Sequence, residues 1–157
     1  MSMNFVDFES IKKEIEEKLK LVNQQIAALW AAVCSDHVIR YFERERPQDD
    51  RPWQAIAATR LWARGRIRAD KVRKAEIAAD AAAREATEEA AIASAQAAGQ
   101  AASIARSVDH AIHASTYATK SAFYASGGET EAVEKERKWQ YDRLRELAML
   151  IGRNWEK

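Results

Sequence analysis

Imidazole and thiol chemistry in this chain comes from four side chains: His37, His110, His113 and Cys34. Cys34 and His37 stand three residues apart, a spacing at which a helix can bring a thiol and an imidazole together as a nucleophile and its base. Cys34 also follows Val33 in an apolar seam, and small buried thiols are ordinary core residues. His110 and His113, again three apart and next to Asp109, can share a metal ion if a third ligand arrives from elsewhere, for example Asp80. Nothing in the sequence forces Asp80 into that place, so no metal and no cofactor are assigned. A Gly-rich phosphate loop, a nucleophile elbow and paired metal-binding cysteines are all missing. No catalytic residue can be named, and the expectation is a protein that is not an enzyme.

A different pattern is more informative. Arg106, His110, His113, Tyr117, Lys120 and Tyr124 recur at spacings of four, three, four, three and four, which predicts one face of a single helix. The opposite side carries Ile104, Val108, Ile112 and Ser115. Such a stripe suits a protein partner, because Tyr and Arg offer large contact area with a polar tip. It equally suits a solvated or interhelical face whose tyrosines cover their neighbours. A second candidate is the basic run Arg60, Arg64, Arg66, Arg68, Lys71, Arg73 and Lys74, which contains one acid, Asp70. Arg60 and Arg64 fit a helix C-terminus, whereas Lys71, Arg73 and Lys74 fall at a helix start, where the dipole opposes them. That leaves an acidic partner, then a phosphate backbone, against a solvated turn offset by Glu76 and Asp80. Trp139–Gln140 reads as a core anchor.

Helices must position these residues. The chain has 157 residues with 5 Gly and 2 Pro, and about a fifth is alanine. Residues that lose least free energy in a helix dominate, and alternating β-branched runs are missing. The fold class is all-α: a compact bundle of five or six helices around a central alanine-rich helical hairpin. Ile11, Ile15, Leu19, Val22, Ile26, Leu29 and Val33 form a near-heptad seam. An unbroken helix over residues 8–46 would be about 57 Å long, against a radius of gyration of ~15 Å for a domain of this size. A break near Val22–Gln25 is therefore expected, or else a projecting arm that pairs with a second copy. Residues 1–26 are read as a helical extension and 27–157 as the domain proper. Pro52 starts the next helix, with Trp53, Ile56, Ala57 and Leu61 on one face and a stop at Gly65. Asp70 caps a third, running through Lys71–Ala98 to a boundary near Gly99; a fourth ends by Ser126. Gly127–Gly128 is the firmest break. The last helix starts near Thr130 and turns Val133, Leu144, Leu147 and Ile151 inward. Ala79, Ala83, Ala86, Ala90 and Ala97 let helix axes approach, so Trp30, Trp53, Trp62, Phe123 and Leu144 are left to supply most of the apolar area.

Lys+Arg number 25 against 24 Asp+Glu, a net charge of +1. No global field points to nucleic acid or an anionic membrane. The single cysteine fits a reducing compartment, no apolar run nears the roughly 18 residues of a membrane span, and residues 1–20 are too charged for a signal peptide. A cytoplasmic location is expected.

Several strings in order carry a likeness: Trp30…Cys34, Asp49-Asp50-Arg51-Pro52, Ala63-Arg64-Gly65, Ala81-Ala82-Ala83-Arg84-Glu85-Ala86, Ala98-Gly99, His110-Ala111, Tyr117-Ala118 and Glu136-Arg137-Lys138-Trp139-Gln140. Between about Leu29 and Leu147 the chain resembles the Imm-5-like family of bacterial immunity proteins. The resemblance implies a role in neutralising a protein toxin encoded nearby, by binding and without catalysis. It supplies no site. Where the family pattern often has histidine, this chain has Asp80, Gln100 and Arg106, and only His110 keeps that feature. Two other classes stay open: a metal- or small-ligand-binding protein centred on His110 and His113, and an oligomerisation module built on the N-terminal seam.

Overall fold

A helix break falls where chain length requires one. The structure, a computed structural model, describes the backbone of residues 5–155 and the side chains of residues 10–150. Helix α1 spans Phe5–Leu19 and α2 spans Gln24–Glu45. Between them Asn23 caps α2, its Oδ1 accepting the Ile26 N–H at 2.9 Å, which satisfies one of the helix's first unpaired donors. The seam does not project. Ile15 is fully buried in one cluster with Ile26, Ala27, Ala28 and Trp30, and Ile11, Leu19 and Val22 pack against it. α1 lies along α7 (Thr130–Trp155).

Helix α3 (Arg51–Ala63) has Pro52 in its first turn and is followed by Gly65, whose φ of 70° lies in the left-handed region. α4 (Ala69–Glu85), α5 (Glu89–Ala102), two 3-10 turns (Ser103–Ala105 and Val108–His110) and α6 (Ala111–Ala125) follow. Gly127 and Gly128, with φ of 81° and 89°, separate α6 from α7. No strand occurs among the described residues.

The described chain therefore holds seven α-helices rather than five or six, and two predicted boundaries move. The alanine-rich stretch breaks at Ala86–Glu88, not at Gly99. The cause lies 42 residues upstream: the Glu45 carboxylate accepts the N–H groups of Thr87 (2.9 Å) and Glu88 (2.7 Å), acting as an anion at the N-terminus of α5. Gly99 sits inside α5, close against the Asp80 carboxylate. A Cβ there would stand 2.2 Å from Asp80 Oδ1 on α4. The second shift is at Arg106–Ser107, where Ser107 is extended (φ −156°, ψ 116°) and separates α5 and its 3-10 turn from α6.

Packing rotates α3 as well. Pro52, Ala55, Ile56 and Thr59 face inward, while Trp53 and Leu61 are 50% and 41% exposed. The expectation that Trp53 is a main source of buried apolar area is overturned, since α3 meets its neighbours through small residues that let the axes close up. Trp30 and Leu144 are fully buried, and Leu147 is half-buried. The side chain of Ile151 lies outside the described residues.

At the centre, the Trp30 indole N–H donates to the Gln140 carbonyl at 2.7 Å. Gln140 is fully buried on α7 and binds α6 three times. Its Oε1 accepts from the Ser115 hydroxyl at 2.6 Å, and its Nε2 donates to the Ser115 carbonyl and to Thr119 Oγ1, both at 3.1 Å. Trp30→Ala is expected to cost about 3–5 kcal/mol, by lost transfer energy and the cavity left behind. Trp53→Ala should cost about 1 kcal/mol. Urea unfolding of both variants checks the ranking, and equal losses would refute this account of the core.

Candidate functional site

The predicted stripe bends. His113, Tyr117, Lys120 and Tyr124 lie on α6 at the expected spacing, His110 ends the second 3-10 turn, and Arg106 lies in the turn between the two. His113 and Lys120 are exposed, Tyr117 and Tyr124 are half-buried, and Tyr117 packs against the main core cluster. Lys120 Nζ stands 6.0 Å from the centre of the Tyr124 ring, within cation–π range.

Arg106 is committed to the fold. Its Nε and Nη2 donate to Glu76 of α4 at 3.1 and 2.7 Å, and Arg73 Nη1 donates to the same carboxylate at 2.8 Å. Glu76 is only 3% exposed. Burial works to raise its pKa, but the hydrogen bonds from Arg106 and Arg73 outweigh burial and hold the carboxyl below its ordinary range. Asp80, one turn further along α4, goes the other way, raised by burial and then by the charge of Glu76.

His110 is held too. Ser103 Oγ donates to the Gln100 carbonyl at 2.6 Å, so its contact of 2.8 Å with His110 Nδ1 is best made by an Nδ1–H donating to the hydroxyl oxygen. Burial first, then the charges of His113 and Arg106, push the His110 pKa down. The His110 and His113 rings stack with centroids 5.2 Å apart. Asp80 does not join them: among the described residues, no group of three or more His, Cys, Asp or Glu side chains is arranged to hold a metal.

The Cys34–His37 pair does not form a nucleophile. Cys34 is fully buried, and burial followed by the charge of Glu136 pushes its thiol well above the ordinary range. His37 turns instead toward α7. Its Nδ1 meets Glu136 Oε2 at 2.8 Å, and its ring stacks flat on Trp139 at 3.6 Å.

That stack forms part of a feature the sequence did not reveal. A groove of about 630 Å³ runs between α2, the C-terminal end of α6 and the first half of α7. Arg40 and Arg44 line it from α2, and Lys135 and Lys138 from α7. Tyr41 lies between the two arginines, whose guanidinium carbons are 4.9 and 5.3 Å from its ring centre. Each pair is visible in the sequence as a helical spacing. The facing of α2 and α7, a hundred residues apart, is not. In the basic turn, Arg60 pairs with Asp36 at 3.0 Å and Arg73 with Glu76, while Arg64, Arg66, Lys71 and Lys74 remain exposed.

A family model described as Imm-5 like putative immunity protein matches residues 17–147. The chain belongs to this family. The match starts inside α1, so the family region reaches further toward the N-terminus than the likeness from about Leu29 indicated. It also takes in the groove, the α4–α6 cluster and the core contacts of Trp30 and Gln140. No curated protein matches the chain, and no solved structure does. Among the described residues, no helix is long and apolar enough to cross a membrane.

Glu76 gives a pH prediction. Its folded pKa lies below its unfolded one, so its contribution is complete above the ordinary carboxylate range and is lost as pH falls through the folded value. Glu76→Gln should destabilise by about 2 kcal/mol at neutral pH, leaving Arg73 and Arg106 without their shared anion. The deficit should shrink as pH falls below about 4. Thermal melts of both proteins from pH 7 to pH 3 measure this, and a deficit that grows toward acid would contradict it.

Proposed function

We propose that this Imm-5-like protein works in the cytoplasm, neutralising a protein toxin encoded beside it by stoichiometric binding without catalysis. Family membership over residues 17–147 carries the reading. The chemistry of the best-placed side chains agrees with it. Cys34 is buried with its thiol pKa raised, His110 hydrogen-bonds Ser103, and Arg106 is spent on Glu76. Side chains buried or held in this way are poorly placed to make or break bonds.

The contact surface proposed is the stripe of Arg106, His110, His113, Tyr117, Lys120 and Tyr124. Arg106 and His110 act there as fixed parts of the frame, and His113, Lys120 and the outer edges of Tyr117 and Tyr124 touch the partner. Half-buried tyrosines suit this, because they lose little rotamer freedom on binding and present a large area with a hydroxyl tip. A net charge of +1 gives no global attraction to a strongly basic toxin, so the toxin expected is not one whose own charge is largely positive.

Co-expression with each adjacent reading frame of the native genome tests the function. One neighbour should arrest growth, and this chain should restore it in proportion to its expression. If no neighbour is toxic, or if rescue fails at every dose, the reading is wrong. The stripe has its own test: His113→Ala combined with Lys120→Ala should weaken the complex about tenfold. Both side chains are exposed, so melting should stay unchanged. Undiminished binding would remove the stripe from the interface.

A further inference from the structure

We propose that the groove between α2 and α7 receives an acidic segment of the partner protein, its carboxylates held between Arg40 and Arg44 on one wall and Lys135 and Lys138 on the other. The inference rests on the binding role just proposed and adds the chemistry of what is bound.

These four cations combine two properties: they line one groove, and none has an ion-pair partner among the described residues. Arg46, Arg51, Arg60, Arg73, Arg106 and Arg143 each have a carboxylate partner within the chain. Arg40, Arg44, Lys135 and Lys138 are exposed and, among the described residues, have none. The two arginines lie against the Tyr41 ring, and Arg40 Nη2 donates to the Tyr41 hydroxyl at 2.9 Å. Among the described residues, the Arg44 guanidinium makes no hydrogen bond. The groove's own acids do not neutralise them. Glu136 is 6% exposed and turned to His37, leaving Asp142 as the other lining carboxylate. Glu88 and Glu89 line an adjoining hollow beside Arg44, outside the groove itself.

Spacing selects the kind of anion. The pairs stand at i,i+4 on α2 and i,i+3 on α7, so the Cβ atoms on each wall are about 5–6 Å apart and the two charges of a wall are carried on separate side chains along its axis. Carboxylates spaced along a peptide match that pattern better than the clustered oxygens of one phosphate. Between the walls, Ala122, Ala125, Ala132 and Trp139 offer apolar surface for the methylenes of Glu side chains or for neighbouring residues. The volume of about 630 Å³ falls within the usual range for a ligand site. The groove also continues the proposed stripe: Tyr41, Arg44 and Ala125 line both the groove and the adjoining hollow that contains Tyr124. A partner lying along α6 thus reaches the groove at the helix's C-terminal end.

The test is a titration of the isotope-labelled full chain with a hexaglutamate peptide, followed by amide chemical shifts at low ionic strength. Saturable shifts confined to residues 37–44 and 132–142 are expected. Arg40→Glu combined with Lys138→Glu should weaken this binding at least tenfold with the melting temperature unchanged. Arg64, Arg66, Lys71 and Lys74 serve as the internal control, since they are equally exposed cations without the groove. Shifts spread evenly over that turn and the groove would overturn the proposal, as would equal binding by the charge-reversed variant. Inorganic phosphate is titrated in parallel, and tighter occupancy of the groove by phosphate than by peptide would also overturn it. These outcomes are independent of the growth rescue: a groove that binds nothing leaves rescue standing, and a failed rescue leaves the peptide result standing.

Discussion

One buried glutamine holds the architecture in register. Gln140 uses its main-chain carbonyl for the Trp30 indole and its side-chain amide for Ser115 and Thr119, so α2, α6 and α7 meet at a single residue. Arg137, one turn earlier on α7, donates to the Ser115 hydroxyl at 2.6 Å and reaches Thr116 as well. A buried polar group left without partners costs roughly 1–3 kcal/mol, so this knot tolerates one arrangement of the three helices and penalises sliding. It also sets the rotation of α7. With Arg137 and Gln140 turned inward, Glu136 and Trp139 fall at the border with α2, and Lys135 and Lys138 fall on the open side.

The rest of the bundle follows from alanine. Small side chains bury little area each, yet they let axes approach until a serine hydroxyl reaches a carbonyl on the next helix. Ser35 donates to Ala97 at 2.9 Å, Ser94 to Val38 at 2.9 Å and Ser121 to Ala90 at 2.7 Å. These three bonds stitch α2 to α5 and α5 to α6 along the alanine-rich faces. Gly99 is the extreme case, where a methyl group could enter only if the Asp80 carboxylate moved aside. Close approach therefore has two consequences: directional bonds that fix the pairings, and a core in which a few large residues such as Trp30, Phe42 and Leu144 supply the bulk of the apolar area.

What the sequence made legible were features with local causes. Helical composition, the start at Pro52, the stop at Gly65 and the Gly127–Gly128 turn each depend on a residue's own backbone preferences. Length alone left a break near Val22–Gln25 or a projecting arm, and packing of Ile15 into the core decides for the break. Features with distant causes were hidden. The α4–α5 break needs Glu45 to reach across from α2, and Gly99 looks like a helix end unless Asp80 is known to press on it. Trp53 reads as core until the small face of α3 is seen to do the packing. The stripe was legible as a spacing, but its bend at Ser107 and the capture of Arg106 by Glu76 depend on where α4 lies. His37 and Trp139 are unremarkable apart and become a groove wall only when α2 faces α7.

Net charge hides the same kind of information. A total of +1 correctly signals no global field, but the total sums over groups in very different states. Arg106 and Arg73 are absorbed by Glu76, and Arg51 by Asp49 and Glu85. What a partner meets is the remainder, and at a Debye length of about 8 Å it meets that remainder locally. A groove lined by four cations and two carboxylates, Glu136 and Asp142, carries a local positive excess on a nearly neutral protein. Electrostatic selection of a partner needs no more than that, because the free energy depends on which charges can be approached together and not on their sum over the molecule.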